Sequence, residues 1–302
     1  MKIRLLRESD IEDVLSLWNR QVSFDKLTPE LLEEKVWDDA DFLNELALVV
    51  EHNKQVIAFA LAVIRPVQEA VVGYIKMFAV DHRFQRNGIA SRLLTELENR
   101  MTTLEASAVR IAESTPNYLT PGLDPRYTKA LVFIEKYGYQ RYDEAWLLEA
   151  DLAAHNFTTK EQETTLAAEG VTLRRGTSRD EKSLADFLQK FGSFSSYPEL
   201  KKALNHEQAS LFFALNSQGI IALAAHNTNN YNTGWFGPMR ILDEYQDTTI
   251  YSALLYLCLR DIKDRGHRFA IIPSMQNVSF YLNQCAAEIS RVFYRYEKKI
   301  GS

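Results

Sequence analysis

The residues that decide the fold are Phe78-Ala-Val-Asp-His-Arg-Phe-Gln-Arg-Asn-Gly-Ile-Ala-Ser-Arg-Leu-Leu94. This stretch leaves an apolar segment, passes through a basic turn with Arg83 and Arg86, and reaches Gly88. A helix is predicted next, because apolar residues recur at helical spacing: Ile89, Leu93, Leu94 and Leu97. The first N–H groups of a helix lack partners within it, and the helix dipole is positive there. The stretch therefore predicts an anion site at a strand-to-helix turn.

Length and composition predict a globular protein of two ordinary domains. The chain has 302 residues, of which 46% are hydrophobic and 25% charged. A net charge of -5 and the lack of a Lys or Arg run argue against nucleic acid or a membrane surface as a partner. No segment approaches the length of a membrane span, which is roughly 20 apolar residues. We expect a cytoplasmic monomer or homodimer.

The cysteines and histidines predict neither a disulfide nor a metal site. Cys258 and Cys285 lie in apolar surroundings without the close spacing of metal ligands, which is typical of a reducing compartment. The six histidines are scattered and form no pair at helical spacing. We therefore expect no bound metal.

The order of apolar segments around the turn predicts alternating strands and helices. A short strand and two helices lead to a hairpin and a long strand that enters the turn. After the turn helix come a short strand, an irregular stretch with two prolines, a helix ended by Gly138 and a closing strand. The strands are predicted near residues 3–5, 46–50, 55–64, 71–80, 108–112 and 139–148.

The second half of the chain repeats the first. Without a gap, Phe84-Gln-Arg-Asn-Gly-Ile-Ala-Ser-Arg-Leu-Leu94 aligns with Tyr245-Gln-Asp-Thr-Thr-Ile-Tyr-Ser-Ala-Leu-Leu255. The aromatic residue, Gln, Ile, Ser and the Leu pair coincide, which indicates a duplication. We place one domain at residues 1–150, a linker at 151–170 and a degenerate copy at 171–302.

The pattern Gln85-x-x-Gly88-x-Ala90 between a strand and a helix resembles the pyrophosphate loop of the GNAT acyltransferase superfamily. The order of the predicted elements over residues 1–150 is similar to that fold as well. The resemblance implies an α/β fold (an α+β mixed sheet) with two tandem GNAT-like domains. It implies an N-acetyltransferase that moves an acetyl group directly from acetyl-CoA to an amine of a small molecule or peptide, through a tetrahedral intermediate.

The turn supplies the expected residues for acetyl-CoA. Backbone N–H groups from Arg86 to Ala90 can converge on a pyrophosphate only where no side chain intrudes, as Gly88 and Ala90 allow. The resemblance adds that the end of the preceding strand pairs with the pantetheine arm. The expected binding residues are Phe78, Ala79, Val80, Gln85, Arg86, Asn87, Gly88, Ile89, Ala90 and Ser91. In the alternative interpretation, Gly88 only permits a tight turn.

Catalysis requires a base for the attacking amine and an acid for the departing thiolate. Glu113, after the fifth strand, is the expected base. In many members of the family a Tyr acts as the acid, but the corresponding position in this sequence is Ile134. Tyr127 is therefore the expected acid, with Tyr118 and Tyr137 as alternatives. Because the usual Tyr is missing, a second hypothesis is a catalytically inactive module that senses acetyl-CoA.

The second copy of the turn is not expected to bind CoA. Thr249 and Tyr251 stand where the first copy has Gly88 and Ala90, and Asp247 replaces Arg86. Larger side chains and a negative charge both oppose a pyrophosphate. The acceptor is expected to be an amine, and a group of acidic residues after the first helix could attract a cationic one. These residues are Glu30, Glu33, Glu34, Asp38, Asp39 and Asp41.

Overall fold

The computed structural model describes residues 1–192, 194–245, 248–274 and 277–301. The chain forms two compact units. Unit 1 comprises Met1–Ala145 together with the C-terminal residues from Val292 onward, and unit 2 comprises Trp146–Arg291. In the described part of the chain, no helix is long and apolar enough to cross a membrane.

Unit 1 alternates strands and helices in the predicted order. Its strands are β1 (Lys2–Leu5), β2 (Ala47–His52), β3 (Gln55–Val67), β4 (Ala70–Val80) and β5 (Ala108–Ile111), with parts of β6 (Gln140–Asp151) and β12 (Glu288–Lys299). Its helices are α1 (Ile11–Gln21), α2 (Pro29–Lys35), α3 (Ile89–Thr103) and α4 (Thr128–Lys136).

The sheet of unit 1 has the strand order β1-β2-β3-β4-β5-β12-β6. The strands from β1 to β4 pair antiparallel, β4 and β5 pair parallel, and β12 pairs antiparallel with β5. Helices α1 and α2 bury Leu17, Trp18 and Leu32 in one core cluster with β2 and β3. Helix α3 buries Leu94 and Leu97 in a second cluster, so helices cover both faces of this mixed sheet.

Strands β4 and β5 separate halfway along β4. Their pairing joins Val72–Ile75 to Ala108–Ile111 and then stops, while β4 continues beside β3 as far as Val80. Lys76 is an extra residue in the register between β3 and β4. A bulge of this kind bends a strand and increases its twist. The last residues of β4 therefore have a strand partner on one side only, within the described residues.

Unit 2 repeats this arrangement. Its first sheet has the order β10-β9-β8-β7, and β11 pairs antiparallel with residues 146–151 of β6. The elements are β7 (Thr172–Arg175), β8 (Leu211–Asn216), β9 (Gly219–His226), β10 (Phe236–Ile241), β11 (Phe269–Ser274), α5 (Lys160–Ala168), α6 (Glu181–Phe191), α7 (Tyr197–Leu204), α8 (Thr248–Asp264) and α9 (Val278–Cys285).

The duplication is visible in one matched ion pair. In unit 1, the two terminal nitrogens of Arg4 contact the carboxylate of Asp10 at 2.7 and 2.9 Å. In unit 2, Arg174 contacts Asp180 in the same way, at 2.8 and 2.6 Å. Each carboxylate also accepts a hydrogen bond from the backbone N–H three residues earlier. Helix α1 of unit 1 and helix α6 of unit 2 are therefore preceded by the same ion pair.

The compact units differ in two ways from the division predicted by the sequence. The residues from Val292 onward belong to unit 1, because Glu297–Lys299 pair with β5. The segment 151–170, expected as a linker, contains α5, whose Leu166 is fully buried in the core of unit 2. Periodicity locates a strand but does not identify its partner, so the sequence could not assign β12 to unit 1.

Candidate active site

The turn after β4 is built around a buried carboxylate. Asp81 is 1% exposed and begins a short 3-10 helix at residues 82–84. It accepts hydrogen bonds from the backbone N–H of Arg83 at 3.0 Å and from the Arg83 guanidinium at 3.0 and 2.8 Å. These bonds lower the pKa of Asp81 to about 2. The charge of Arg83 is thus already paired within the turn.

The loop then enters α3 through two residues with left-handed backbone. Arg86 has φ 62° and Gly88, which caps α3, has φ 75°. A Cβ built on Gly88 would meet no atom within 4 Å, so space lies open beside the helix N-terminus. Gln85, Asn87 and the two residues above are exposed. The first N–H groups of α3 have no acceptor within the helix, and an anion site requires such groups.

The remaining expected binding residues are buried or half-buried. Ile89 is 3% exposed and packs in the core, so only its backbone is available to a ligand. Ala90 and Ser91 are half-buried. Ala79 and Val80 are buried at the end of β4, and Phe78 contacts Phe133 of α4, with 6.3 Å between the ring centroids.

Glu113 lies just beyond the paired part of β5. Its side chain is 5% exposed, and one oxygen accepts a hydrogen bond from the Tyr142 hydroxyl of β6. Its other oxygen lies 2.8 Å from Nε of Arg295 of β12, and Arg110 is 3.9 Å away. The sequence-predicted base therefore has neighbours from three strands.

The charge state of Glu113 reflects two opposed influences. Burial is the larger one and raises its pKa above the ordinary value of 4.5. The Tyr142 hydroxyl and the positive charges of Arg295 and Arg110 favour the ionised form and limit this rise. A raised pKa in a buried carboxyl is a typical property of a general base.

Tyr127 is held in another set of contacts. Its hydroxyl accepts a hydrogen bond from the backbone N–H of Phe24 at 2.8 Å and donates one to the Asp25 carboxylate at 2.8 Å. The centroid of its ring is 5.2 Å from that of the Phe24 ring, and the Arg126 guanidinium lies 3.8 Å from the centroid of the Phe24 ring. Tyr127 thus ties the start of α4 to the segment between α1 and α2.

The other tyrosine positions considered from sequence have separate surroundings. Ile134 is 6% exposed in the core cluster of α3, so this position offers no hydroxyl. Tyr137 packs on Phe133 with 4.8 Å between ring centroids. Tyr118 is half-buried in the stretch that follows Glu113.

Two of the acidic residues expected to attract an amine are buried in ion pairs. Asp39 pairs with Arg65 at 2.9 Å and with Lys76, and Glu34 pairs with Lys35 at 2.7 Å. Burial lowers the pKa of Lys76 to about 8, against the opposing charge of Asp39. Glu34 and Asp39 therefore do not form a solvent-facing acidic surface.

The same buried network holds the segment after Glu113. Lys35 donates to the side-chain oxygen of Asn117 at 2.9 Å, and Arg65 donates to the carbonyl of Pro116 at 2.8 Å. Asn117 donates in turn to the carbonyl of Glu34 at 2.7 Å. The irregular stretch that the sequence predicted is thereby fixed to α2 and β3.

Sequence reasoning missed Tyr142 and Arg295. Both are single polar residues in strands whose partners lie far away in the chain, so no motif identifies them. The alternation of residues in β6 and β12 is only a weak signal for these two residues. It predicts which residues share a face of the sheet, but it does not predict which strand lies next to them.

In unit 2, aromatic side chains pack together beside the first turn of α8. Tyr251, in the first turn of α8, lies 5.9 Å from Phe280 of α9, and Tyr281 lies 5.2 Å from Phe280 and 6.3 Å from Phe236. Thr249 is half-buried. Asp247, expected to oppose an anion, is outside the described residues.

No group of His, Cys, Asp and Glu that could hold a metal ion occurs among the residues that the structure describes. Cys258 and Cys285 are both free thiols and both buried.

Comparisons with known proteins agree with this fold. Residues 11–119 match the model of the acetyltransferase (GNAT) family. No curated protein sequence matches the chain. The glucosamine N-acetyltransferase region of a fungal multi-domain β-N-acetylglucosaminidase is 15% identical, with a TM-score of 0.80. The alignment covers 98% of this chain and 38% of that one, so this chain spans about two fifths of its length.

Two further structures are similar over nearly their whole length. A tandem GNAT protein from the clavulanic acid pathway is 12% identical, with a TM-score of 0.69 and coverage of 99% of this chain and 98% of that one. An N-acetyltransferase from Sphaerobacter thermophilus is 17% identical, with a TM-score of 0.62 and coverage of 99% and 95%. Identities this low show the fold alone. Residues 11–119 therefore resemble the acetyltransferase (GNAT) family, and the whole chain has the fold of a tandem GNAT protein.

Proposed function

We propose that this protein is an N-acetyltransferase that moves an acetyl group from acetyl-CoA to an amine of a small molecule or peptide. The observation that carries the proposal is the separation of β4 from β5 next to the left-handed turn at Gly88. The N–H groups at the start of α3 suit a pyrophosphate, and the unpaired edge of β4 suits a pantetheine arm.

The position of Glu113 supports its role as the base. Strands β4 and β5 last pair at Ile75 and Ile111, and the N–H of Ala112 still donates to the carbonyl of Ile75 at 2.9 Å. Met77 and Glu113 each lie two residues beyond that last pair. A thioester in the gap would therefore have β4 backbone on one side and Glu113 on the other.

The proposed chemistry assigns each proton. Glu113 takes one proton from the attacking ammonium and releases it to solvent, and the amine nitrogen bonds to the acyl carbon. The bond from that carbon to sulfur then breaks, and the nitrogen loses a second proton, which replaces the one that the acid gives to the thiolate. Backbone N–H groups at the end of β4 stabilise the negative oxygen. Tyr127 is our proposed proton donor to the thiolate, which requires its hydroxyl to release the Asp25 carboxylate. The base must be ionised, so activity falls as pH drops through the raised pKa of Glu113.

A second candidate function is a sensor that binds acetyl-CoA without turnover. The observation that favours it is the state of the two expected acid positions. Ile134 is a core residue, and the Tyr127 hydroxyl already joins Phe24 and Asp25. The two free buried cysteines support our further proposal of a reducing compartment for either function.

Thiol release from acetyl-CoA, measured across amines, polyamines, amino acids and aminoglycosides, separates the two functions. In Glu113→Gln we expect turnover to fall at least about 100-fold, the usual contribution of a general base, while acetyl-CoA binding by calorimetry is unchanged. The matched control is Glu51→Gln, which removes a carboxylate of β2 that pairs with Arg4 of β1. Binding without turnover on any amine would support the sensor, and no binding would contradict both.

A further inference from the structure

The carboxylate of Glu113 has a separate partner for each oxygen. One oxygen accepts from the Tyr142 hydroxyl, and the other lies 2.8 Å from Nε of Arg295. Arg295 is itself fixed, because Nε donates to the carbonyl of Pro121 at 3.2 Å and a terminal nitrogen lies 3.4 Å from Asp143. Its side chain is 14% exposed. Two partners on opposite oxygens define the orientation of the carboxylate plane.

We propose that Arg295, from the last strand of the chain, is the positioning residue for Glu113, whose carboxylate it holds and to which it supplies the nearest positive charge. The inference rests on the proposed function for the role of Glu113 as base. A domain ending at residue 150 would lack this residue, so the C-terminal strand completes the candidate site of unit 1.

Other charged and titratable groups near Glu113 do not replace Arg295. Arg110 of β5 is farther from Glu113, at 3.9 Å, and its charge is offset by the carboxylate of Glu297, which lies 2.8 Å from its Nε. Tyr142 of β6 is neutral at ordinary pH, because burial and the charge of Glu113 raise its pKa. Asp143 of β6 is a like charge that opposes ionisation of Glu113. Tyr74 of β4 also interacts with Glu113, and burial raises the pKa of its hydroxyl.

The test compares Arg295→Gln and Arg295→Lys with Arg4→Gln in the full chain. Arg4 is a matched control, since it is 13% exposed and pairs with two carboxylates away from Glu113. The pKa of Glu113 is measured from its carboxyl carbon by ¹³C NMR, with the resonance assigned by Glu113→Gln. This measurement requires no turnover.

In Arg295→Gln we expect the pKa of Glu113 to rise by about one unit or more, the usual effect of losing a nearby opposite charge. Arg295→Lys should restore most of the difference, and Arg4→Gln should leave the pKa unchanged. The acid side of the pH–rate profile should shift with it, and kcat should fall while KM for acetyl-CoA stays within about twofold.

An unchanged pKa of Glu113 in Arg295→Gln would overturn the inference, whatever happened to stability. If that variant fails to fold, the ¹⁵Nε resonance of Arg295 in the wild type decides: it should titrate with Glu113, and a flat resonance overturns the inference. Failure of the proposed function is a different result, namely no thiol release from the wild type with any amine.

Discussion

The two copies of the strand-to-helix turn differ in what lies beside the first turn of the helix. In unit 1, Gly88 adopts φ 75° with open space where a side chain would stand, and Ala90 follows. In unit 2, Tyr251 packs against aromatic rings of α9. Both helices carry the positive end of a dipole at their start, so we attribute the expected difference in anion binding to the side chains beside them.

The two units also use buried carboxylates differently. In unit 2, hydrogen bonds from Arg175 and His226 outweigh the burial of Asp261, so its pKa is lowered. In unit 1, burial outweighs the partners of Glu113, so its pKa is raised. A carboxylate with several strong donors suits a structural role, and one that is harder to ionise suits proton transfer.

The largest expected effect breaks the contrast between the turns directly. Gly88→Glu should weaken acetyl-CoA binding at least about 100-fold, because a positive φ strains any side chain and the added charge repels a pyrophosphate. Thr249→Glu, the matched change in unit 2, should leave binding unchanged. Calorimetry should give one site per chain in the wild type. Two sites, or normal binding by Gly88→Glu, would contradict our account of the two copies.

A smaller effect is expected for the carboxylate of unit 2. Asp261→Asn should lower the free energy of unfolding by about 2 to 3 kcal/mol at neutral pH, since Arg175 and the fully buried His226 lose their partner. Asp261 stabilises the fold above its unfolded pKa, ordinarily 3.8, and this contribution is lost as pH falls further. Urea unfolding should therefore show the difference from wild type shrinking below that pH, with turnover intact. A pH-independent difference would argue against the ion pair as its cause.

The smallest expected effect separates the two arginines of the first turn. Arg86→Gln should weaken acetyl-CoA binding by about three- to tenfold at low ionic strength and less at high ionic strength. Arg83→Gln should have a smaller effect, because that guanidinium already pairs with Asp81 at 2.8 Å. Binding affinities of both variants at two salt concentrations test this order, and equal losses would show that the Asp81 pair does not restrain Arg83.

Local sequence determined the elements of this protein and one part of its site. Gly88 between a strand and an amphipathic helix specifies a turn with free N–H groups, because backbone conformation and helix periodicity depend on neighbouring residues. The repeat at Tyr245–Leu255 likewise revealed the duplication, since it compares two short stretches. Element boundaries shifted by a few residues, as for β3, which was predicted at residues 55–64 and extends to Val67.

Only the tertiary structure decided which distant residues meet. Strand pairing brings Arg295 and Tyr142 to Glu113, and it assigns the last strand to unit 1 although the sequence placed it in the second domain. The fold likewise buries Asp39 against Lys76, where sequence suggested a solvated acidic surface. These contacts depend on register and burial, which arise when the whole sheet forms. The sequence therefore predicts an anion site at the turn, and the fold decided which charges surround the candidate base.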